Sequence, residues 1–553
     1  SLKRAALVRV LESFSSRASS VADYLQYTDH LLFMLKDMAN LTNALLPDLK
    51  AYASNHFQRK NSRIVLVDPL STKDNESSQS TEDSLQAPVQ EFDISTWKSP
   101  VAPGEADAPL VLDIERIHPK TQRYTLDNGM RIILAPNFEY PTIDMRMVFP
   151  VGDSMDPADR PGLAYWTAAL LSSKMNNKWP ASIWNRVIDV RRMGGALEAW
   201  TTGRSTVFRN RGLAMYADGL LWQLHWLLES GTTASQLRKS KKLVRKEREA
   251  DLKARKEAED KPFARYRKTL LAGIFGAKHP YAFDRSLDEV FLSLDPEELE
   301  KFRDLNYGAN GATLIVSGHF DPIVVGKDIE ALFNNWPARG NAAPVTRIPD
   351  ADDRSKALHA IIVDDDLPHP QITIAFPSTR GLLKDRALRL VTKEMISQRV
   401  SSVRERLGAS YGVSVSANFN AGPGSVLIRG TVNRQKGAAA LKLMTEELTR
   451  LRSGHELGDD FARARRKVLQ QTLADAVNAT RVAAQLVSEV TYNLPPDHSD
   501  RLANDIGQLT IAQAREQLAK DLRAEHTVLI IRGPKALGEA LFKSIGVSDY
   551  VVN

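Results

Sequence analysis

The chain has no cysteine. That excludes disulfides, thiolate nucleophiles and thiolate metal ligands. It fits periplasm and cytoplasm alike, and the compartment is read as one of these two, with the periplasm slightly ahead. No stretch approaches 18 consecutive apolar residues, so no membrane-spanning helix is expected. None of the eleven histidines stands four residues from another, so no helix offers the paired imidazoles of a zinc helix. No apolar core follows Ser1-Leu2-Lys3-Arg4, so no secretory leader is read there. These first residues read as the middle of a helix, and the expectation is a piece of a longer protein.

With 553 residues, three to four domains are expected. Apolar residues make up 43% and charged residues 25%, as in ordinary globular chains. The net charge is +7. Much of the basic excess lies in Arg238 to Lys261, with eleven Lys or Arg against six Asp or Glu. No aromatic residue interleaves until Phe263, so this run reads as a solvated helix and no nucleic-acid partner is expected.

One phrase recurs along the chain. Arg63-Ile64-Val65-Leu66-Val67 is closed by Asp68-Pro69, Ala312 to Gly318 runs into Asp321-Pro322, and Thr527 to Gly533 runs into Pro534. Each is a short apolar strand stopped by a turn residue, at intervals too long for a solenoid, so whole domains repeat. The expected plan has a closing fragment of a preceding domain at 1–69 and a flexible Ser/Asp/Glu-rich linker at 70–118. A domain at 119–336, a linker at 337–355 and a last domain at 356–553 follow. Asn128-Gly129 between apolar runs predicts a hairpin at the front of the first full domain. Helical patterns cover 162–178, 211–230, 235–260 and 296–306, and in the last domain about 383–406, 436–452, 458–477, 479–492 and 511–522. Strands before helices in each unit give an α+β class.

Gly162-Leu163-Ala164-Tyr165-Trp166-Thr167-Ala168-Ala169 has the frame of a zinc helix without its chemistry. With Asn128-Gly129, Gly194-Gly195, Lys278-His279-Pro280, Gly318-His319-Phe320-Asp321-Pro322 and the 404–416 stretch, it resembles the pitrilysin, insulysin and mitochondrial processing peptidase family, the inverzincin metallopeptidases. The resemblance covers 119–553. That family carries His-x-x-Glu-His on this helix, two zinc ligands flanking a general base. Tyr165, Ala168 and Ala169 stand at the three positions here. Glu247 matches the third ligand, but beside Lys246 and Arg248 it reads as a solvated helix residue, so no metal is expected in this chain. Glu198 stands where the family has an Asn on the edge strand that pairs with substrate.

The resemblance implies repeated domains with antiparallel-rich sheets and packed helices, making half of a four-domain clamshell. It also implies an N-terminal partner half that holds zinc, and a peptide or small-protein substrate enclosed between the halves. In such proteins the last domain sends an Arg and a Tyr toward the scissile peptide, and Arg404 and Tyr411 match. Composition alone reads them as a helix-end Arg and a strand Tyr; the family frame makes them donors to a carbonyl gaining negative charge. The expected function is the metal-free half of a zinc peptidase, inactive alone. The alternatives are a non-catalytic scaffold, as in respiratory-complex core subunits of similar fold, and a peptide-binding subunit.

Overall fold

The computed structural model describes residues 46–57, 120–157, 160–172, 196–230, 262–283, 294–339, 349–353, 355–378, 385–407, 410–419 and 422–553, with Ala22, Lys36 and Leu110. The 1–69 fragment, the 70–118 linker and the charged run at 238–261 therefore lie almost wholly outside the described residues. Two compact units divide the chain, Ser15–Pro103 and the remainder. The smaller unit contributes one described helix, α1 (Leu46–His56). The larger unit holds two six-stranded sheets.

Strands without apolar alternation are the mark of sheets buried on both faces, and the central strands here are of that kind. The first sheet contains β1 (Gln122–Thr125), β2 (Arg131–Pro136), β3 (Thr142–Phe149), β4 (Ala196–Thr201), β5 (Thr206–Leu213) and β6 (Thr313–Gly318), in the order β1-β2-β6-β3-β5-β4. The second contains β7 (Leu358–Val363), β8 (Gln371–Ser378), β9 (Ser410–Asn418), β10 (Gly424–Val432), β11 (Val528–Gly533) and β12 (Val551–Val552), in the order β12-β7-β11-β8-β10-β9. The five inner and far-edge positions correspond one to one. β2, β6, β3, β5, β4 match β7, β11, β8, β10, β9 in order and direction. Only the outermost strand differs, antiparallel β1 against parallel β12. The recurring phrase is thus the central strand of each sheet, β6 and β11. Its closing turn residues are helix starts: Asp321 caps α6 (Pro322–Phe333) by accepting from the Ile323 and Val324 N–H groups, and Pro534 precedes α13 (Lys535–Ser544).

Asn128 and Gly129 form the expected hairpin between β1 and β2. Gly129 takes a left-handed φ of 88°, and the Asn128 amide donates to the Phe333 and Trp336 carbonyls at the end of α6. The 211–230 helix starts later than its sequence pattern suggests. Arg211 to Leu213 continue β5, paired to β3, and α3 spans Ala217–Ser230.

Helices α2 (Leu163–Ser172), α3, α5 (Pro296–Asn306) and α6 cover one face of the first sheet. Helices α7 (Arg386–Leu407), α8 (Gly437–Ser453), α9 (Gly458–Ala476), α11 (His498–Gly507), α12 (Ile511–Asp521) and α13 pack together on one face of the second. The opposite faces are covered by exchange. Helix α4 (Pro262–Phe275), which the sequence reading missed, packs Tyr266, Leu270 and Ile274 on Ala360, Ile362, Val528 and Ile530 of the second sheet. Helix α10 (Ala479–Tyr492) packs Val482, Ala483, Leu486 and Val487 on Ile133, Val148, Val207 and Ile315 of the first. The α4 stripe has i, i+4 spacing behind a Pro at its start, which is a readable helix signal.

Candidate active-site helix and facing sheets

Helix α2 forms within the stretch expected to be helical, 162–178, whose last residues lie outside the described ones. Gly162 turns the chain at φ 90°, and the Asp156 carboxylate accepts from the Gly162 and Ala164 N–H groups at 2.7 and 2.9 Å. An acidic group at these free N–H groups also suits the positive end of the helix dipole. Leu163, Ala164, Ala168 and Leu171 enter the apolar core of the first domain. Tyr165 and Ala169 are half-buried, with the Tyr165 ring edge-on to Trp166 at 5.2 Å. The helix packs against the edge strand β4 and its neighbour β5.

This geometry does not fit a zinc ion. Ala168, at the general-base position, is 1% exposed among leucines and aromatic rings, where a carboxylate would be stranded. Tyr165 and Ala169 supply no imidazole. Among the described residues no group of three His, Asp or Glu could hold a metal. Glu247 lies outside the described residues.

On the other face of the first sheet an ionic cluster joins it to α10. Asp144 (β3) is 1% exposed and accepts from Arg146 Nε at 2.8 Å, Arg209 Nε at 2.8 Å and Thr480 Oγ1 at 3.0 Å. Arg146 also donates to the Thr480 carbonyl at 2.8 Å, and Arg209 to Glu198 at 3.1 Å. Glu198, on edge strand β4, is therefore occupied by its neighbour on β5. A second pair, Arg123 with both Glu489 oxygens at 2.5 and 3.1 Å, pins the far end of α10.

Arg404 lies in the last turn of α7 and Tyr411 is the second residue of β9, the edge strand of the second sheet. Their side chains lie outside the described residues. The backbone is informative: Thr431 pairs with Gly412 and Val432 with Ser410, so Tyr411 is the extra residue of a β-bulge. Bulges re-aim a side chain and occur often beside active sites. Helix α7 packs along β9, which brings the two segments side by side.

The end of α7 is tethered by a network that sequence reasoning did not find. Glu447 on α8 is fully buried and accepts from Arg399 at 3.0 Å and Arg406 at 2.9 Å. Arg399 also donates to Asp460 on α9, which takes Arg463 at 2.6 Å. Arg399, Arg406, Asp460 and Arg463 border an open cavity of about 940 Å³ with Glu394 and Lys467. The signal was hidden because its members come from three helices. A second groove, of about 630 Å³, lies between α4 and strands β8, β10 and β9.

The described residues thus form two matched sheets with exchanged helices, an α+β architecture in which α2 offers no imidazole for a metal. Residues 293–468 match the family described as peptidase M16 inactive domain. No curated protein matches the chain. Among solved structures, a peptidase M16 inactive domain from Pseudomonas fluorescens superposes with a TM-score of 0.62 at 19% identity, over 75% of this chain and 98% of that one. The first half of the periplasmic protease PqqL from Escherichia coli gives 0.59 at 14% identity, over 78% and 95%. Pitrilysin gives 0.55 at 18% identity, over 77% of this chain and 47% of its own. The matched segment and the similar folds thus agree with the resemblance that the sequence carries, and the chain spans about half the length of pitrilysin.

Proposed function

We propose that this chain is the metal-free half of a zinc peptidase, working with an N-terminal half that holds the metal and enclosing a peptide substrate between them. The observation that carries this reading is α2. Asp156 caps it, Gly162 turns the chain into it and it is seated against β4, while the three motif positions on it hold Tyr165, Ala168 and Ala169. The match of residues 293–468 to an inactive domain of a peptidase family supports it.

In this reading the chain's own contribution to catalysis is hydrogen-bond donation. Arg404 and Tyr411 donate to the substrate carbonyl as it gains negative charge, in a chamber where little water competes. The bulge at Tyr411 and the ion pairs that hold α7 at Arg399 and Arg406 favour preorganisation of the two segments. In the reconstituted two-half protein, Tyr411→Phe and Arg404→Ala should each lower turnover on the order of 100-fold to 1,000-fold. Arg404→Lys should rescue part of that loss, keeping charge without the fork. Peptide cleavage at the wild-type rate by both Tyr411→Phe and Arg404→Ala would overturn the assignment. A scaffold, or a subunit that captures peptides without cutting them, would then be the better account; the groove beside α4 favours the second of these.

A further inference from the structure

The matched strand orders allow the two sheets to be aligned residue by residue. Gly318 on β6 sits beside Ile143, and Gly533 on β11 sits beside Pro370. Counting on from these points, Asp144 of β3 corresponds to Gln371 of β8, and Arg146 to Thr373. Arg146 faces Arg209 on β5, and Thr373 faces Arg429 on β10, so Arg209 corresponds to Arg429. Glu198 faces Arg209 on β4, and Ser414 faces Arg429 on β9, so Glu198 corresponds to Ser414.

The chemistry at these matched positions is opposite. In the first sheet the arginine is neutralised by two carboxylates, Asp144 and Glu198, under the first turn of α10. In the second sheet the arginine remains and both carboxylates have become neutral, Gln371 and Ser414. Arg429 is exposed and forms no ion pair among the described residues. It lines the groove of about 630 Å³ under α4, and none of the lining residues is acidic. Thr431 brings a hydroxyl, the Ser414 hydroxyl donates to the Arg429 carbonyl at 3.4 Å, Gly412 has open space where a Cβ would stand, and Phe263, 56% exposed, also lines the groove. Helix α4 leaves this end of the sheet uncovered because its apolar stripe is seated further along, on β7 and β11.

We propose that this groove is a binding subsite for a carboxylate of an extended peptide, with Arg429 as the residue that recognises it. It deepens the peptide-enclosing reading above and rests on it for the choice of a peptide. The guanidinium presents a planar fork that matches the two carboxylate oxygens, and the Thr431 hydroxyl that lines the groove is a donor to the same group. The carboxylate takes the place that Asp144 and Glu198 fill in the first sheet. An acidic side chain and a C-terminal carboxylate share this chemistry.

Binding is measured by fluorescence anisotropy on the whole chain, without the zinc-bearing half, so that no cleavage is required. Three labelled peptides of equal length and neutral sequence are compared: one with a single Glu and an amidated end, one with Gln in its place and an amidated end, and the Gln peptide with a free carboxylate. At least one carboxylate peptide should bind about tenfold tighter than the Gln amide, as expected for one charge-assisted hydrogen bond. Which of the two it is distinguishes a side chain from a chain end. Arg429→Gln should erase the preference, and Arg429→Lys should keep part of it. The pair Gln371→Asp with Ser414→Glu, which copies the acids of the first sheet, should erase it with Arg429 intact. Equal binding of all three peptides, or a preference that survives Arg429→Gln, would overturn the subsite. Failure of the assembled protein to cleave peptides would sink the half-peptidase reading and leave this result standing.

Discussion

The two sheets of this chain share strand order and helix exchange, yet they close differently. On the first, α10 lies over a buried Asp144 and two arginines, its own Thr480 donates to Asp144, and Val482, Leu486 and Val487 seal the rest. On the second, α4 is seated by Tyr266, Leu270 and Ile274, and a groove lined by Arg429 and Ser414 stays open beside it. A duplicated sheet can thus keep its hydrophobic plan while the few polar positions on one face decide between a latch and a pocket. The apolar stripe sets where the helix sits, since its burial contributes about 25 cal/mol per Å² without directional demand. The polar positions decide whether the remaining space is filled, because a buried charge is tolerated only with its partners.

The comparison breaks most visibly at the latch. Asp144→Ala leaves Arg146 and Arg209 buried without their shared carboxylate, so stability should fall by about 3–5 kcal/mol. Urea unfolding of the whole chain measures this; a loss below about 1 kcal/mol would show that the cluster relaxes by admitting water. The counterpart under α4 is a neutral contact, the Tyr266 hydroxyl to Thr373 Oγ1 at 3.0 Å. Tyr266→Phe should cost only about 1 kcal/mol by the same measurement, since no charge is stranded. An effect as large as that of Asp144→Ala would mean that the second sheet is latched too.

The smallest effect concerns acid. One histidine in each helical layer has its pKa held below the ordinary 6.5, His225 on α3 and His498 on α11. Burial is the larger cause in both. For His225 the nearby Glu229 opposes it, and for His498 the Arg386 guanidinium, 3.0 Å from Nε2, reinforces it. A folded-state pKa below the unfolded one gives stability that is present above about pH 6.5 and is lost as pH falls through the folded value. The drop in Tm between about pH 7.5 and about pH 5.5 should therefore shrink in His498→Gln and in His225→Gln. Equal drops in wild type and His498→Gln would remove this assignment.

Much of the fold was legible because it rests on local pattern. The β10 and β11 runs, the Asn128-Gly129 hairpin and the α8, α9, α10 and α12 stripes each declare themselves within about ten to twenty residues. Helix α2 was legible for the same reason, within the expected 162–178 stretch. Helix α4 was overlooked although Tyr266, Leu270 and Ile274 show its stripe, because the charged run before it drew the helix assignment to 235–260. The tether of α7 could not be read at all. Glu447, Arg399 and Asp460 are ordinary surface types in sequence, and only the packing of α7, α8 and α9 desolvates them together.

By itself, the sequence determined most of the strands and helices, which of their faces are apolar, and that Tyr165, Ala168 and Ala169 stand within one turn and a half. Spacing and side-chain chemistry are local properties, and they survive in a one-dimensional reading. Tertiary structure alone decided which helix covers which sheet, that Tyr411 is the extra residue of a bulge, and that Arg209 and Arg429 occupy matched positions with opposite neighbours. Those facts depend on strand register and on helices exchanged across more than one hundred residues. An arginine's role is set by the charges that folding brings within about 4 Å of it, and that distance is not written in the order of the residues.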